Sequence, residues 1–236
     1  MKTLTIQGGQ TLSGTVRIGG AKNSAVALIP AAILASDPVT ICNVPEITDI
    51  EALSNILKHL NVSVKRASES IVIDPSKMEN KMITQELSSK LRASYYFMGA
   101  LLGKYKKVTM YFPGGCKIGE RPINLHLKGF EALGATVTIE DNVYTITADK
   151  LQGASIYLDT PSVGATINIM LAATLADGTT TIDNAAKEPE IANIATLLNQ
   201  MGAKVSGAGT SMIKIVGVKE LNGCFHEVIP DRIEAG

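Results

Sequence analysis

The chain has 236 residues, a hydrophobic content of 45% and a formal net charge of zero, enough for one large domain or two small ones. The balanced charge argues against nucleic acid or an anionic membrane as a bulk partner. Three widely spaced cysteines and three scattered histidines show neither a disulfide framework nor metal-ligand spacing. No basic and apolar leader opens the chain, and the most apolar run, residues 25–35, is too short to span a bilayer. These features predict a cytoplasmic protein without membrane insertion or a bound metal.

The chain repeats one pattern three times. Each copy has an apolar helix-like run, a short β-rich run, an amphipathic helix and two further strands. The apolar runs cover residues 24–35, 91–102 and 165–175. Because helices that are apolar nearly all round must be buried, we expect three pseudo-equivalent units about a common axis, with helices inside and sheets outside. The order of helices and strands also fits an ordinary parallel α/β sheet, which stays an alternative.

The entry to the first buried helix suits an anion. Two glycines and an alanine lead into Lys22, Asn23 and Ser24. A helix N-terminus offers free N–H groups and a positive dipole end, and Lys22 adds a charge. The alternative is that Asn23 or Ser24 caps the helix and that Lys22 is a solvated charge.

The equivalent entries of the other two copies also carry polar groups. The third copy enters through residues 160–166, which can hold a phosphate or a carboxylate. The second copy enters through Arg92. A cation at a helix N-terminus opposes the dipole, so we expect Arg92 to face an anionic partner, either Glu86 or a ligand.

The loop after the first strand of the middle copy has the most specific composition. Cys116 lies among glycines, with Lys117 beside it and Arg121 five residues on. Nearby cations favour the thiolate, and glycines let the backbone bend, so the loop predicts a reactive thiol. The alternative is that Cys116 is a small, apolar and inert residue.

Taken together, these segments resemble the UDP-N-acetylglucosamine 1-carboxyvinyltransferases, a family of bacterial enolpyruvyl transferases. The resemblance runs along the whole chain and rests on residues 20–23, 91–94, 113–122, 162–166, 188–191 and 230–234. It implies an inside-out α/β barrel of the enolpyruvyl transferase type. It also implies transfer of the enolpyruvyl group of phosphoenolpyruvate to the 3′-hydroxyl of UDP-N-acetylglucosamine, with release of phosphate and no cofactor. This reaction is the first committed step of peptidoglycan synthesis.

The resemblance also implies roles for individual residues. Cys116 would protonate the enolpyruvyl methylene carbon, and it is the thiol that fosfomycin alkylates in the family. Lys22 and Arg121 would hold the phosphate and carboxylate of phosphoenolpyruvate, and Asn23 would orient the sugar or the intermediate. Arg92 would neutralise phosphate or diphosphate charge. The uridine side would be lined by Arg121, Pro122, Ile123, Asn124, Leu125, Thr160, Pro161, Ser162 and Val163.

Two positions and the length depart from the family. Asn124 stands where many relatives carry Asp, and Thr160 where some carry Lys, so uridine contacts are expected to differ in detail. Family members are roughly twice the size of one such domain, and their second lobe supplies the catalytic aspartate. The chain therefore resembles an N-terminal lobe, without turnover by itself. Its expected divisions are strands in residues 1–21 that pack with the absent lobe, three units at about 22–85, 86–150 and 151–229, and the start of a crossover at 230–236.

Two other classes of function stay open. One is a binding or interaction module that retains the fold without catalysis, for which an ordinary, unactivated Cys116 is expected. The other is an unrelated thiol enzyme in which His126 serves Cys116 as a base. Substituting His126 without a change in thiol reactivity would remove the second class.

Overall fold

The computed structural model describes residues 3–11, 13–114 and 122–236, and it arranges the repeated pattern as three structural units. The first unit comprises α1 (Lys22–Ala31), β1 (Val39–Cys42), α2 (Thr48–His59), β2 (Ser63–Ala67) and β3 (Ser70–Asp74). The second comprises α3 (Gln85–Ser88), α4 (Tyr96–Tyr105), β4 (Lys107–Tyr111), α5 (Asn124–Ala132), β5 (Thr136–Glu140) and β6 (Val143–Thr147). The third comprises β7 (Ser155–Tyr157), α6 (Val163–Ala173), β8 (Thr179–Asp183), α7 (Pro189–Gln200), β9 (Lys204–Ser206) and β10 (Met212–Val216). The last elements along the chain are β11 (Phe225–Glu227) and α8 (Arg232–Ala235).

The three central helices α1, α4 and α6 are buried over nearly their whole length. Helix α4 packs against both of the others. The α4–α6 approach is close: a Cβ atom on Gly99 would lie 2.4 Å from the backbone oxygen of Asn168. By contrast, α2 and α5 bury one face and expose the other. The prediction of buried helices inside and amphipathic helices outside is therefore confirmed.

Each unit folds its strands into a sheet of its own around these helices. The antiparallel strand orders are β1-β3-β2, β4-β6-β5 and β8-β10-β9. Strands β3, β6 and β10 bury alternate residues, as expected for a sheet with one face on the core. In the described part of the chain, this separation into three sheets rules out the alternative of one ordinary parallel sheet.

A short parallel strand completes the edge of two of the sheets, and the sequence did not predict it. β7 pairs in parallel with β8, and β11 pairs in parallel with β1, with Thr40 opposite Phe225. In the second unit a single parallel bridge joins Ile83 to Met110. Three-residue strands are too short to show a period of two, which is why periodicity missed them. Because β11 comes from near the end of the chain, it closes the three units into a ring.

Two helix entries differ from the sequence prediction. Helix α1 begins at Lys22, and its N-cap is Ala21, so the alternative that Asn23 or Ser24 caps it is wrong. The second central helix begins as a short 3₁₀ helix (Arg92–Tyr95) before α4. Residues 3–11 and 13–18 show neither helix nor strand, and the division of the chain into segments stays a prediction. Across the described ranges, no helix is both long and apolar enough to cross a bilayer.

Candidate functional site

The entries to the three central helices meet around one cavity of about 610 Å³. Helix α1 contributes Lys22 and Asn23, and the 3₁₀ turn before α4 contributes Arg92. Helix α6 contributes Val163, with its N-cap Ser162 beside it. A helix N-terminus carries the positive end of its dipole, so a cavity between such ends favours an anion. The fold therefore brings together three segments that the sequence singled out separately.

The cavity lining includes six of the residues that the resemblance implied as substrate contacts. These are Lys22, Asn23, Arg92, Pro122, Ser162 and Val163. The other described members lie elsewhere: Ile123 is buried in the core, Leu125 packs against the core, and Asn124, Thr160 and Pro161 are exposed outside the cavity lining. Cys116 and Arg121 lie outside the described residues. The substrate roles of all these residues stay predictions.

Lys22 is held on both its side chain and its backbone. Its ammonium group forms an ion pair with the carboxylate of Asp49. Its backbone N–H donates a hydrogen bond of 3.1 Å to Oδ2 of Asp231, so a carboxylate of the protein itself already occupies the start of α1. Burial acts to raise the pKa of Asp231, but hydrogen bonds from backbone N–H groups, those of Ile233 and Lys22 foremost, hold it below its usual value. An anion in the cavity would therefore meet the Lys22 ammonium rather than its backbone N–H.

Arg92 lies in an aromatic corner of the cavity. Its guanidinium carbon is 5.8 Å from the centre of the Tyr95 ring, and that ring meets the His126 ring edge to face at 4.9 Å. Glu86, which the sequence offered as a partner for Arg92, contacts Lys90 at 3.5 Å. The ligand role of Arg92 stays a prediction.

His126 is a buried, neutral ring in the same wall. Oδ1 of Asn168 accepts a hydrogen bond from the backbone N–H of Gly99 at 2.8 Å, so its amide nitrogen faces Nδ1 of His126, also at 2.8 Å. Nδ1 is therefore an acceptor and Nε2 carries the proton. Burial, and then the charge of Arg92, lowers the pKa of His126 to about 3. A base of that pKa is a poor match for a thiol at neutral pH, which counts against the hypothesis of an unrelated thiol enzyme.

Acidic side chains share the cavity, and the sequence did not assign them to the site. Asp49, Glu188 and Glu190 line it together with Arg232. Glu190 is only 3% exposed, and its Oε1 lies 3.4 Å from Nε of Arg232. Oε2 of Glu190 has no hydrogen-bond partner among the described residues. The available signal was the occurrence of Glu188, Glu190 and Arg232 in segments that carried the family resemblance.

No group of three or more His, Cys, Asp or Glu side chains in residues 3–11, 13–114 and 122–236 is arranged to hold a metal ion. The side chains that line the described cavity supply fixed cations, carboxylates and hydrogen-bond donors. Such groups are suited to binding an anionic ligand that also carries hydroxyl or amide groups.

Comparison with solved structures shows the same architecture in enolpyruvyl transferases. The enolpyruvyl transferase NikO from Streptomyces tendae superposes with a TM-score of 0.84 at 27% identity, over 98% of this chain and 55% of that chain. EPSP synthase from Acinetobacter baumannii superposes with a TM-score of 0.71 over 92% of this chain and 50% of that one. Its identity of 20% supports the fold alone. The predicted fold class is confirmed.

Comparison of sequences shows closer relatives. UDP-N-acetylglucosamine 1-carboxyvinyltransferase 2 of Bacillus subtilis is 58% identical over 236 residues, and the Oceanobacillus iheyensis protein of the same name is also 58% identical. Both alignments cover 100% of this chain and 55% of the relative, so the chain spans about half the length of the curated relatives it matches. These matches confirm the resemblance seen in the sequence. The model of the EPSP synthase (3-phosphoshikimate 1-carboxyvinyltransferase) family matches residues 6–236, and the chain belongs to this family.

Proposed function

We propose that the chain forms one lobe of an enzyme that transfers the enolpyruvyl group of phosphoenolpyruvate to the 3′-hydroxyl of UDP-N-acetylglucosamine, with release of phosphate. The observation that carries the proposal is the meeting of the three central helix entries, with Lys22, Asn23 and Arg92, around one cavity. An addition–elimination needs fixed cations around a leaving phosphate, and this cavity has them. In a bacterial cytoplasm the product would be committed to peptidoglycan.

The proposed roles follow the charges of the side chains. The ammonium of Lys22 and the guanidinium of Arg92 would hold phosphate or diphosphate oxygens, and Asn23 would orient the sugar or the intermediate. Cys116 would supply the proton to the methylene carbon, and Arg121 would bind the phosphate or carboxylate of phosphoenolpyruvate. The oxyanions would then be stabilised by groups already in place before the reaction, so little reorganisation would be needed.

The proposed enzyme needs a second lobe that carries its aspartate base and further arginines. The 236-residue chain alone is therefore expected to release no phosphate above background when both substrates are added. The measurement is a phosphate-release assay with the chain at high concentration, and the matched control is the same assay with a Cys116→Ala variant. Robust turnover that depends on Cys116 would show that the chain needs no second lobe.

Thiol labelling tests the site itself. Intact-mass analysis with fosfomycin at neutral pH, with and without UDP-N-acetylglucosamine, followed by peptide mapping, should give a single adduct on Cys116. Cys42 and Cys224 serve as internal controls, since both are half-buried and burial raises the pKa of the Cys224 thiol. Equal labelling of all exposed cysteines by general thiol reagents, with no fosfomycin adduct, would instead favour the binding module without catalysis or a site activated only by the second lobe.

A further inference from the structure

A continuous chain of hydrogen-bonded side chains joins the start of α1 to the strand that closes the ring. Ser24 on α1 donates from Oγ to Oδ1 of Asn193 on α7. Nδ2 of Asn193 lies 2.9 Å from Nε2 of His226 on β11. Nδ1 of His226 lies 2.7 Å from Oε1 of Gln200, at the end of α7. We call these four residues the seam network, because β11 is the strand that closes the ring against β1.

Each link of the seam network determines the next. Because Oδ1 of Asn193 accepts from Ser24, its amide nitrogen must face His226 and the backbone oxygen of Glu227, 3.3 Å away. Nε2 of His226 is then an acceptor, so the ring proton lies on Nδ1 and is donated to Gln200. Ser24, Asn193 and His226 are 0%, 6% and 3% exposed. Gln200, at the far end of the network, is exposed. Among the three buried members, satisfied hydrogen bonds favour one arrangement of the side chains.

Ser24 stands directly after Lys22 and Asn23, two of the α1 residues that line the cavity. Its side chain is turned to α7, whereas Lys22 and Asn23 face the cavity. A shift of Ser24 would therefore move the Lys22 ammonium and the Asn23 amide together. Binding sites require that the side chains touching the ligand are held in place by the residues packed around them.

We propose that the seam network positions Lys22 and Asn23 for ligand binding, with Asn193 and His226 acting as positioning residues through Ser24. The predicted effect on ligand affinity rests on the proposed function, in which the cavity binds a UDP-sugar. The predicted effect on the first turn of α1 does not, because it concerns the chain without ligand. Two measurements on the 236-residue chain test these two effects separately.

The first measurement is amide hydrogen exchange without ligand. The amide of Lys22 donates to Asp231 and that of Ala25 to the backbone oxygen of Ala21, so both report on the first turn of α1. His226→Phe keeps a ring of similar size but removes both hydrogen bonds. It should speed exchange at these two amides by about tenfold and leave Thr166, in the first turn of α6, unchanged. Equal changes at both helices, or none at either, would overturn the proposal.

A conservative and an unrelated substitution serve as controls for this measurement. His226→Gln keeps one donor and one acceptor, so it should restore most of the protection of the α1 amides. It also keeps the test decisive if the phenylalanine variant does not fold. His59→Gln removes a histidine whose Nε2 contacts the backbone oxygen of Met82 at 2.9 Å, away from the network, and should leave exchange at α1 unchanged. Failure of His226→Gln to protect α1 better than His226→Phe would contradict a hydrogen-bonding role.

The second measurement is a double-mutant cycle on the affinity for UDP-N-acetylglucosamine, measured by calorimetry. Within the described part of the chain, Ser24 and His226 share no hydrogen bond, and Asn193 bonds to both, so the cycle tests coupling through Asn193. Ser24→Ala and His226→Phe should each weaken binding by about fivefold to tenfold, and the double variant no more than the larger single effect. In an Asn193→Leu background, neither change should weaken binding further.

The outcomes distinguish the two proposals. A purely structural network would lower the thermal midpoint of the variants while leaving the affinity of the folded chain unchanged, which would overturn the positioning role. If the wild-type chain binds neither UDP-N-acetylglucosamine nor inorganic phosphate, the proposed ligand site fails in this chain. The exchange measurement then still decides whether the seam network holds the first turn of α1.

Discussion

At the scale of single residues, Asp231 ties two distant parts of the chain together. Its Oδ2 accepts from the backbone N–H of Lys22 at 3.1 Å, and its Oδ1 from that of Ile233 at 2.8 Å. One carboxylate thus serves the N-termini of both α1 and α8, where orphan N–H groups and the helix dipole favour an anion. The sequence predicted that a bound anion would accept from the N–H groups at the start of α1. It could not show that Asp231 does so, because Asp231 lies 209 residues from Lys22.

Replacing Asp231 by alanine should therefore destabilise the fold by about 1 kcal/mol, the usual effect of losing an N-cap. The folded-state pKa lies below the ordinary value of 3.8, so this stabilisation is present above pH 4 and is lost as the pH falls through the folded pKa. Urea unfolding of both proteins at pH 7 and near pH 3 measures the difference. Asp159→Ala, which breaks only the exposed contact with Lys128, should cost less than about 0.5 kcal/mol at either pH. A pH-independent cost at Asp231 would contradict the capping role.

His126 should make the stability of the chain depend on pH. Its folded pKa of about 3 lies below the ordinary 6.5, so the unfolded chain binds a proton that the folded chain rejects. Stability contributed by this group is complete above pH 6.5 and falls as the pH drops toward 3, by at most about 1.4 kcal/mol per pH unit. His126→Gln should have a shallower slope than the wild type between pH 6.5 and 4 in chemical unfolding. Equal slopes for the two proteins would contradict a neutral, buried His126.

At the scale of secondary-structure elements, the two ends of the central helices differ in their surroundings. The N-terminal ends line the cavity, whereas lysine side chains bond to backbone oxygens at the C-terminal ends. Nζ of Lys104 donates to the backbone oxygens of Ile33 and Ala35 at 2.7 and 2.6 Å. Nζ of Lys106 donates to the backbone oxygen of Leu175 at 3.3 Å. Burial lowers the pKa of both lysines. Cations at the C-terminal ends complement the helix dipoles, so the N-terminal ends are the ones left for an anion.

The close approach of α4 and α6 depends on the absence of a side chain at Gly99. A Cβ there would lie 2.4 Å from the backbone oxygen of Asn168 and 2.7 Å from its Oδ1, so the helices would have to separate. Gly99→Ala should cost about 1–3 kcal/mol and lower the thermal midpoint by several degrees. Gly8→Ala meets no atom within 4 Å and should leave the midpoint unchanged. A Gly99→Ala variant as stable as the wild type would show that the interface adapts easily.

At the scale of the whole molecule, the ring is closed by the C-terminal region and not by the N-terminal one. Residues 221–236 include the buried Leu221 and Val228 and the strand β11, which pairs with β1. Residues 3–11 and 13–16 are exposed and form neither helix nor strand. We therefore expect unequal consequences from removing sixteen residues at either end of the chain.

Removal of residues 221–236 should leave β1 as an unpaired edge and expose buried apolar surface, so the chain should aggregate or unfold at ordinary temperature. Removal of residues 1–16 should change the thermal midpoint by no more than about 2 °C, since the described residues 3–11 and 13–16 are exposed. Circular dichroism melting and size-exclusion chromatography of the two truncated chains make the comparison. A stable, monomeric protein without residues 221–236 would show that ring closure by β11 is dispensable.

Much of the fold was predictable because it depends on local pattern. Apolar runs without a polar face indicated α1, α4 and α6 as buried helices, and the threefold repeat of the same order of elements indicated β3, β6 and β10. The starts of α1 and α4 were misplaced by only a few residues, since helix entries depend on contacts distant in the sequence. The strands β7 and β11 were missed because a strand of three residues is too short to show an alternation of buried and exposed positions.

The candidate site was predictable only in part. Lys22, Asn23 and Arg92 were identified because they stand at helix entries, where polar and charged residues are exceptional within apolar runs. Glu190 and Asp49 were missed, since a carboxylate on an amphipathic helix looks solvated until the packing buries it. No pattern in the sequence singled out His226, because its hydrogen-bond partners lie on α7, 26 and 33 residues away.

Residue type and spacing along the chain were sufficient to indicate the three repeated units, the burial of their central helices and the family resemblance. Three further features emerged from the tertiary fold alone: the three helix entries share one cavity, Asp231 bonds to the start of α1, and β11 closes the ring by pairing with β1. Those features join residues up to about 200 positions apart, and local pattern contains no information about which distant backbone and side-chain groups satisfy one another's hydrogen bonds.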